Sequence, residues 1–310
     1  VGLVIFEYYE MKVTILGNNS ATPAFGRHPT AQTVAVNGEV LLIDCGEGTQ
    51  IQMQRYAAKW RKLHHIFISH MHGDHYFGLP GLINSMSLGG RTDALHLYGP
   101  APLMPIIEAI LAVADTVLSY PLIFHPLPEG SEVLVETHLF RVTCFPVIHR
   151  IACHGFLVEA STRGRKLLPA RCEEYGVPVS FYDELKNGED YSRPDGTVVK
   201  NYLLTEPGPS PKRYAYCADT LYTETILPYV KGVDTMYHEA TYLEADADKA
   251  VARYHTTARQ AAQLAALAGV KQLLLGHFSS KYKDVDSFME EASPVFANVV
   301  VTVEGNVYEI

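Results

Sequence analysis

No part of this 310-residue sequence carries the run of about eighteen apolar residues that a membrane-spanning helix requires. The first ten residues, VGLVIFEYYE, come nearest. That run is short, contains Glu7 and has no leading Lys or Arg, so it reads as neither a span nor a signal peptide. Met11 is the expected start of the domain, residues 1–10 an N-terminal extension, and no membrane partner is expected. Cysteine is scarce: five residues, an odd number, with no C-x-x-C pair. That argues against a disulfide framework and for a reducing, cytoplasmic setting. Basic charge is short as well, with 25 Lys and Arg against 34 Asp and Glu, a net charge of −9. The overall footprint of a nucleic-acid binder is therefore missing, which favours a small-molecule enzyme. Bound metal ions lie outside that sum, however, and a local patch can act where the average does not. Low-complexity tracts and solenoid-type repeats are absent too.

What is present is material for a core, since 47% of residues are hydrophobic and 19% charged. MKVTILG, TVAVNG and EVLLIDCG read as opening strands, with Asn37-Gly38 as a hairpin turn. HHIFISH is a further strand, and GLPGLINSMSL begins a helix whose early Pro80 suits its first turn. Strand LHLYGP and helix APLMPIIEAILAVAD follow, then the pair HLFRVTCFPVIH and HGFLVEA. Beyond residue 213 come strands YAYCADT and TMYHEATY, helix TARQAAQLAALAG, strand KQLLLGHF, a helix near 284–292 and a final hairpin NVVVTVEGNVYEI. Strands alternating with helices predict a layered α/β domain over 11–310. Residues 161–211 break that rhythm. They are rich in Pro, Gly and charge with little apolar periodicity, and read as a functional loop or a disordered linker.

The densest chemistry is SHMHGDH, residues 69–75. His70 and His72 stand two apart after a strand, so in extended chain both face one side. Gly73 permits a turn that brings Asp74 and His75 to the same place. Imidazoles and a carboxylate suit zinc or a neighbouring first-row ion, and four donors so close could share two ions. In a layered α/β sheet further ligands belong at strand ends. His149, Asp219 and His277 stand there, after RVTCFPVI, RYAYCA and KQLLLG. A divalent ion lowers the pKa of a water it holds to about 7, and two ions together can stabilise the attacking and leaving oxygens of a phosphodiester.

This set resembles the metallo-β-lactamase superfamily. The resemblance implies an αββα sandwich, two mixed sheets flanked by helices, with two Zn2+ per subunit (Mn2+ or another divalent ion being an alternative). It also implies the sharing of ligands: His70, His72 and His149 on one ion, Asp74, His75 and His277 on the other, and Asp219 bridging. Asp74 is further placed to orient the bridging water as general base. The wider text resembles one family in particular, ribonuclease Z in its short bacterial-type form. GDHYFGLPGL, DCGEGTQIQM at 44–53, LYGP at 97–100, CADT at 217–220, HEATY at 238–242, HTTARQAAQLA at 255–265 and GHFSSKY at 276–282 follow that family's motifs in order. The likeness runs from about Met11 onward. It implies a homodimeric endoribonuclease that removes the 3′ trailer of precursor tRNA, leaving a 3′-hydroxyl on the tRNA and a 5′-phosphate on the trailer.

Cleavage must protonate a departing 3′ oxygen, and a histidine held by a carboxylate can supply that proton. The resemblance gives this role to Glu239 and His255; otherwise His255 serves the start of the helix at Thr256–Thr257 and Glu239 is a surface acid. The segment 161–211 stands where the family carries a flexible tRNA-binding arm, although GVPVSFYDELKNGE lacks the family's Pro-Pro-Gly-Pro character. Arg163, Arg165, Lys166, Arg171, Lys212 and Arg213 are the candidates for phosphate contact, with a solvated charged surface as the other reading. Three further departures stand out: Ser69 for a commoner Thr, Gly276 for Thr, and Lys281 for Arg. His28, His64 and His65 take no part in the expected site. The competing reading is a broad-specificity phosphodiesterase or other metallo-hydrolase of the superfamily, with the same ligands and no tRNA grip. A non-enzymatic RNA-binding protein would predict a damaged ligand set, and all seven positions are intact.

Overall fold

A computed structural model describes residues 11–161, 164–208 and 210–310. The expected extension 1–10 and Arg163 lie outside them. The described residues divide into two compact units, one of residues 11–160 and 212–310 and one lying within 161–211.

The larger unit is built on two seven-stranded mixed sheets. The first runs in the order Val307–Glu309, Met11–Gly17, Ala31–Val36, Glu39–Ile43, Leu63–Phe67, Leu95–Gly99, Leu122–Pro126. Its opening strands are antiparallel and those from Glu39–Ile43 onward parallel. The second runs Val299–Val301, Gln272–Gly276, Thr235–Glu239, Arg213–Cys217, Cys153–Ala160, Phe140–Val147, Glu132–Glu136. Its first four strands are parallel and the rest antiparallel.

Period-two patterning sorts each strand between layers. Met11, Val13 and Ile15 join Phe67, Phe156, Tyr214, Tyr216 and Tyr237 in the core between the sheets. Leu16, Ile66 and Ile68 face helices Thr49–Arg55, Leu79–Leu88 and Leu103–Val113. Ala215, Leu273 and Leu275 face helices Ala258–Ala268 and Asp286–Ala292. The result is helix, sheet, sheet, helix. Among the described residues no helix is long and apolar enough to cross a membrane. The tight turn at Asn37 and Gly38 forms as expected, both with positive φ (48° and 92°), the conformation a two-residue hairpin needs. Helix Ala258–Ala268 starts at a capping box, Thr257 Oγ1 accepting from Gln260 N and the Gln260 side chain returning to the Thr257 backbone.

Three expectations are corrected. The final hairpin does not form: Val299–Val301 pairs parallel with Gln272–Gly276, while Val307–Glu309 crosses to pair with Met11–Gly17. Thr302–Asn306 bridges the sheets, its Gly305 N–H donating to Ile15 O at 2.8 Å. The EGN text is a turn, but one that spans the gap between layers. Strands Leu122–Pro126 and Glu132–Glu136 went unanticipated because prolines surround them. Each is the edge of its sheet, where proline is tolerated. Residues 161–211 are not a structureless linker. They hold helices Pro169–Glu174, Tyr182–Lys186 and Asn201–Leu204 and two small two-stranded sheets. A buried cluster of Cys172, Val177, Leu185, Val199 and Leu204 closes around the Asn201 amide, which donates to the carbonyls of Leu185 and Glu189, each at 2.8 Å.

Candidate metal centre and catalytic site

Each expected ligand stands just past the C-terminal end of a strand. His70 to His75 follow Leu63–Phe67, His149 follows Phe140–Val147, Asp219 follows Arg213–Cys217, and His277 follows Gln272–Gly276. In the second sheet Arg213–Cys217 and Gln272–Gly276 run the same way through Thr235–Glu239, and Phe140–Val147, two antiparallel steps from Arg213–Cys217, runs that way too, so side chains distant in sequence converge. Asp74 and His75 sit on the single helical turn Gly73–Tyr76. His277 takes a left-handed backbone, φ 60°, which turns its ring back over the sheet.

Two groups of donor atoms form. The facing nitrogens of His70 and His72 are 2.9 Å apart, and those of His149 and His72 3.1 Å. Asp219 Oδ2 lies 3.7 Å from His70 Nε2 and 3.8 Å from His149 Nε2. In the second group His75 Nε2 and His277 Nε2 are 3.3 Å apart. Asp74 Oδ2 is 3.6 and 3.4 Å from them, and Asp219 Oδ1 3.4 and 3.2 Å. One carboxylate thus offers an oxygen to each group.

The remaining ring nitrogens fix these orientations. His75 Nδ1 meets Asp44 Oδ2 at 2.8 Å, His70 Nδ1 the Ser69 hydroxyl at 3.0 Å, His149 Nδ1 the Tyr254 carbonyl at 2.9 Å and His277 Nδ1 Thr241 Oγ1 at 2.9 Å. Burial pushes His70, His72 and His149 below the usual histidine range, so at neutral pH they present lone pairs. Burial works against charge on His75 as well, but Asp219, Asp74 and Asp44 together push it well above that range. The Asp74 carboxyl is held well below its usual range, His75 and His277 outweighing the cost of burial. This pocket therefore stabilises positive charge. Asp219 Oδ1 is buried without a hydrogen-bond partner. A buried carboxylate oxygen facing two imidazole nitrogens fits a divalent ion, and the three-residue and four-residue donor sets suit zinc or its neighbours.

Beside the donors, Glu239 Oε1 accepts from His255 Nδ1 at 2.9 Å, Thr256 N at 3.0 Å and Thr220 N at 3.1 Å. Its Oε2 accepts from Thr241 N and Oγ1 at 2.9 and 2.8 Å. Glu239 is fully buried, not a surface acid, and the helix cap is Thr257, which leaves His255 free for Glu239. Burial alone would lower His255, but the Glu239 charge and hydrogen bond raise it to about 9, giving an imidazolium at neutral pH. His255, His72, His149, Asp74 and Asp219 line an open cavity of about 440 Å³ together with Arg150 and Arg253.

A family model described as "Anti-Pycsar protein Apyc1" matches residues 11–116, about a third of the chain. Over nearly its whole length the chain is similar to curated ribonucleases Z. That of Porphyromonas gingivalis (strain ATCC BAA-308 / W83) is 42% identical over 293 residues, 94% of this chain and 96% of its own. The chain belongs to the ribonuclease Z family. That family consists of hydrolytic endoribonucleases. Human tRNase Z, short form, a solved structure, is 27% identical with a TM-score of 0.71, covering 96% of this chain and 98% of its own. The metallo-beta-lactamase fold protein YhfI from Bacillus subtilis shares the fold at 20% identity, with a TM-score of 0.69 over 97% of this chain and 100% of its own.

Within this ribonuclease Z fold the departures from the family text have local reasons. Ser69 keeps the hydroxyl that meets both Asp44 Oδ2 at 2.9 Å and His70. Gly276 leaves room for Tyr237: a Cβ there would lie 2.2 Å from the phenolic oxygen. Gly78, in the YFGLPGL text, packs so closely on the loop after Asp44 that a Cβ would meet Gly46 O at 2.1 Å. Lys281 is tied to Asp246. His28 pairs with Glu304 and His64 with Glu39, and His65 stacks on His96.

Arg163 lies outside the described residues, and the other five cationic candidates have local partners or are partly buried. Lys166 pairs with Glu206 at 2.7 Å, Arg171 with Glu174 at 2.8 Å and Arg213 with Glu159 at 3.3 Å. Arg165 donates to Thr205 Oγ1 at 2.6 Å, and Lys212 is partly buried. The sequence reading missed Asp44, Thr241, Arg150 and Arg253. Asp44 was recoverable, since it follows the strand EVLLI as Asp219 follows its own. The other three have no spacing that sets them apart.

Proposed function

We propose that this chain is a zinc-dependent endonuclease that cuts the 3′ trailer from precursor tRNA, leaving a 3′-hydroxyl on the tRNA and a 5′-phosphate on the trailer. His70, His72 and His149 would hold one ion, Asp74, His75 and His277 a second, with Asp219 between them. When bound, the ions supply Lewis acidity at the phosphodiester and acidify water near neutral pH. Asp74 accepts a hydrogen bond from the attacking water and orients it; its Oδ2 also accepts from Ala21 N at 2.7 Å, which fixes the carboxylate. His255, kept protonated by Glu239, donates its proton to the departing 3′ oxygen. Arg150 and Arg253 line the same cavity and favour the anionic substrate.

The observation that carries this reading is Asp219, whose two oxygens face two separate histidine groups. The compact unit 161–211 is the tRNA-binding arm, a second copy of the chain completes a homodimer, and all five cysteines, buried and unpaired, fit the cytoplasm. The test is cleavage of a 3′-extended pre-tRNA beside bis-p-nitrophenyl phosphate, each with and without chelator. Chelator-sensitive cleavage at the discriminator is expected. Strong activity on the ester alone would establish the broad phosphodiesterase instead.

A further inference from the structure

The segment from Thr49 to Gly73 contains no Asp or Glu in a chain whose net charge is −9. Within it Lys59, Arg61 and Lys62 surround Trp60, the only tryptophan. The three cations are exposed, and among the described residues none of them pairs with a carboxylate; Lys62 Nζ reaches only the Gly38 carbonyl at 3.3 Å. The Glu39 carboxylate near this region is taken by His64 at 3.0 Å. Trp60 is half-exposed, and its ring lies against Gly89, where a side chain would collide with the indole. With Met53 and Ala58, these residues line a shallow, mostly apolar hollow of about 480 Å³.

We propose that this hollow binds single-stranded RNA, and that the strand is the 3′ trailer of the precursor; this rests on the pre-tRNA reading of the active site. An indole beside an open apolar hollow takes a base that is not stacked on its neighbours, and cations around it take the phosphates. Bases inside the paired stems of a tRNA are stacked already and do not enter such a hollow. The trailer is the unpaired part of the substrate, and its path begins at the cleaved bond. Trp60 and the metal loop stand at opposite ends of one strand, Leu63–Phe67. From Lys62 to His70 that is at most roughly 26 Å, at about 3.3 Å per residue. A trailer of several nucleotides leaving the catalytic cavity spans such a distance, and a very short one does not. Retention of long trailers follows as a property of this chain's own surface, separate from any grip on the tRNA body.

Two measurements test it. Pre-tRNAs with trailers of about two and about fifteen nucleotides, bracketing common single-strand site sizes, are bound under chelation to wild type, Trp60→Ala and the triple variant Lys59→Ala/Arg61→Ala/Lys62→Ala. The triple variant keeps the indole packed on Gly89 and guards against misfolding of Trp60→Ala. We expect about tenfold weaker binding of the long-trailer precursor alone, and a log-log salt slope lower by about 2 in the triple variant, at about 0.7 per single-strand phosphate. A fifteen-nucleotide trailer RNA should also quench the emission of Trp60, the only tryptophan present. Equal weakening at both trailer lengths would assign the patch to the tRNA body and overturn the proposal. Unchanged binding at both lengths, or unchanged emission at saturation, would overturn it too and leave the hollow to a protein partner. Cleavage of the short-trailer precursor by the triple variant, read with metal restored, reports on the active-site reading separately.

Discussion

Replacing Glu239 by Gln separates the charge of this carboxylate from its shape. In the wild-type chain five donors converge on it, three of them backbone N–H groups. The rise of His255 from 6.5 to about 9 corresponds to roughly 3 kcal/mol of preference for the imidazolium, at about 1.4 kcal/mol per pH unit. With Gln the charge is gone, and burial then draws His255 below 6.5. At pH 7.5 the protonated fraction drops from nearly all to less than about a tenth. Loss of a placed acid commonly costs about 10²-fold or more, so kcat on pre-tRNA should fall by at least about 10²-fold. The basic limb of the pH profile should move from near 9 to below 7, with partial recovery as the pH is lowered. Hydrolysis of bis-p-nitrophenyl phosphate, whose leaving group departs without a proton, should fall far less. The stability of the ion-free protein should follow the same titration. Because the folded-state value is raised, the contribution is complete below pH 6.5 and lost as pH rises through 9. Thermal unfolding under chelation should therefore fall across that window more steeply in wild type than in the variant, which keeps the contribution of His75 but not that of His255. A rate loss equal on both substrates, with the basic limb unmoved, would refute the assignment of His255 as acid.

Asp219→Ala should lower the metal bound per chain, read by elemental analysis, and reduce pre-tRNA cleavage by about 10²-fold or more, as its oxygens face both donor groups. Gly276→Ala should destabilise by about 1–3 kcal/mol in urea unfolding, since its methyl meets the ring of the buried Tyr237. Thr257→Ala removes one half of the capping box and should cost about 1 kcal/mol in the same assay. Deleting residues 165–205 should weaken pre-tRNA binding and its salt dependence while sparing the small ester; equal loss on both substrates would contradict the arm.

The convergence of the candidate donors was legible because each obeys a rule of position: a polar residue directly after an apolar run is at a strand end, and in a layered sheet strand ends meet. His149, Asp219 and His277 were found that way across more than two hundred residues. The partners that steer them were less visible. Thr241 reaches both Glu239 and His277 only because strand Thr235–Glu239 lies beside Gln272–Gly276, and nothing in HEATY announces that contact. The fold was legible where periodicity is local, as in MKVTILG or AAQLAALA. It was obscured where partners are remote: the two valine-rich runs near residue 300 look like each other's neighbours and belong to different sheets. In residues 161–211 the apolar positions that make the cluster are five to fourteen apart, too far for any repeat to show.

Unit 161–211 leaves the larger unit after strand Cys153–Ala160 and returns into Arg213–Cys217, its antiparallel neighbour. The Ala160 N–H donates to the Lys212 carbonyl at 2.9 Å, so exit and return are one hydrogen bond apart. A two-residue turn could close the same hairpin. This arrangement lets lineages lengthen, shorten or exchange what lies between residues 160 and 212 without touching a strand that carries a metal donor. On the proposed reading of this unit as the tRNA-binding arm, preference for a substrate can change through insertion and loss at one seam while the candidate donors stay in place.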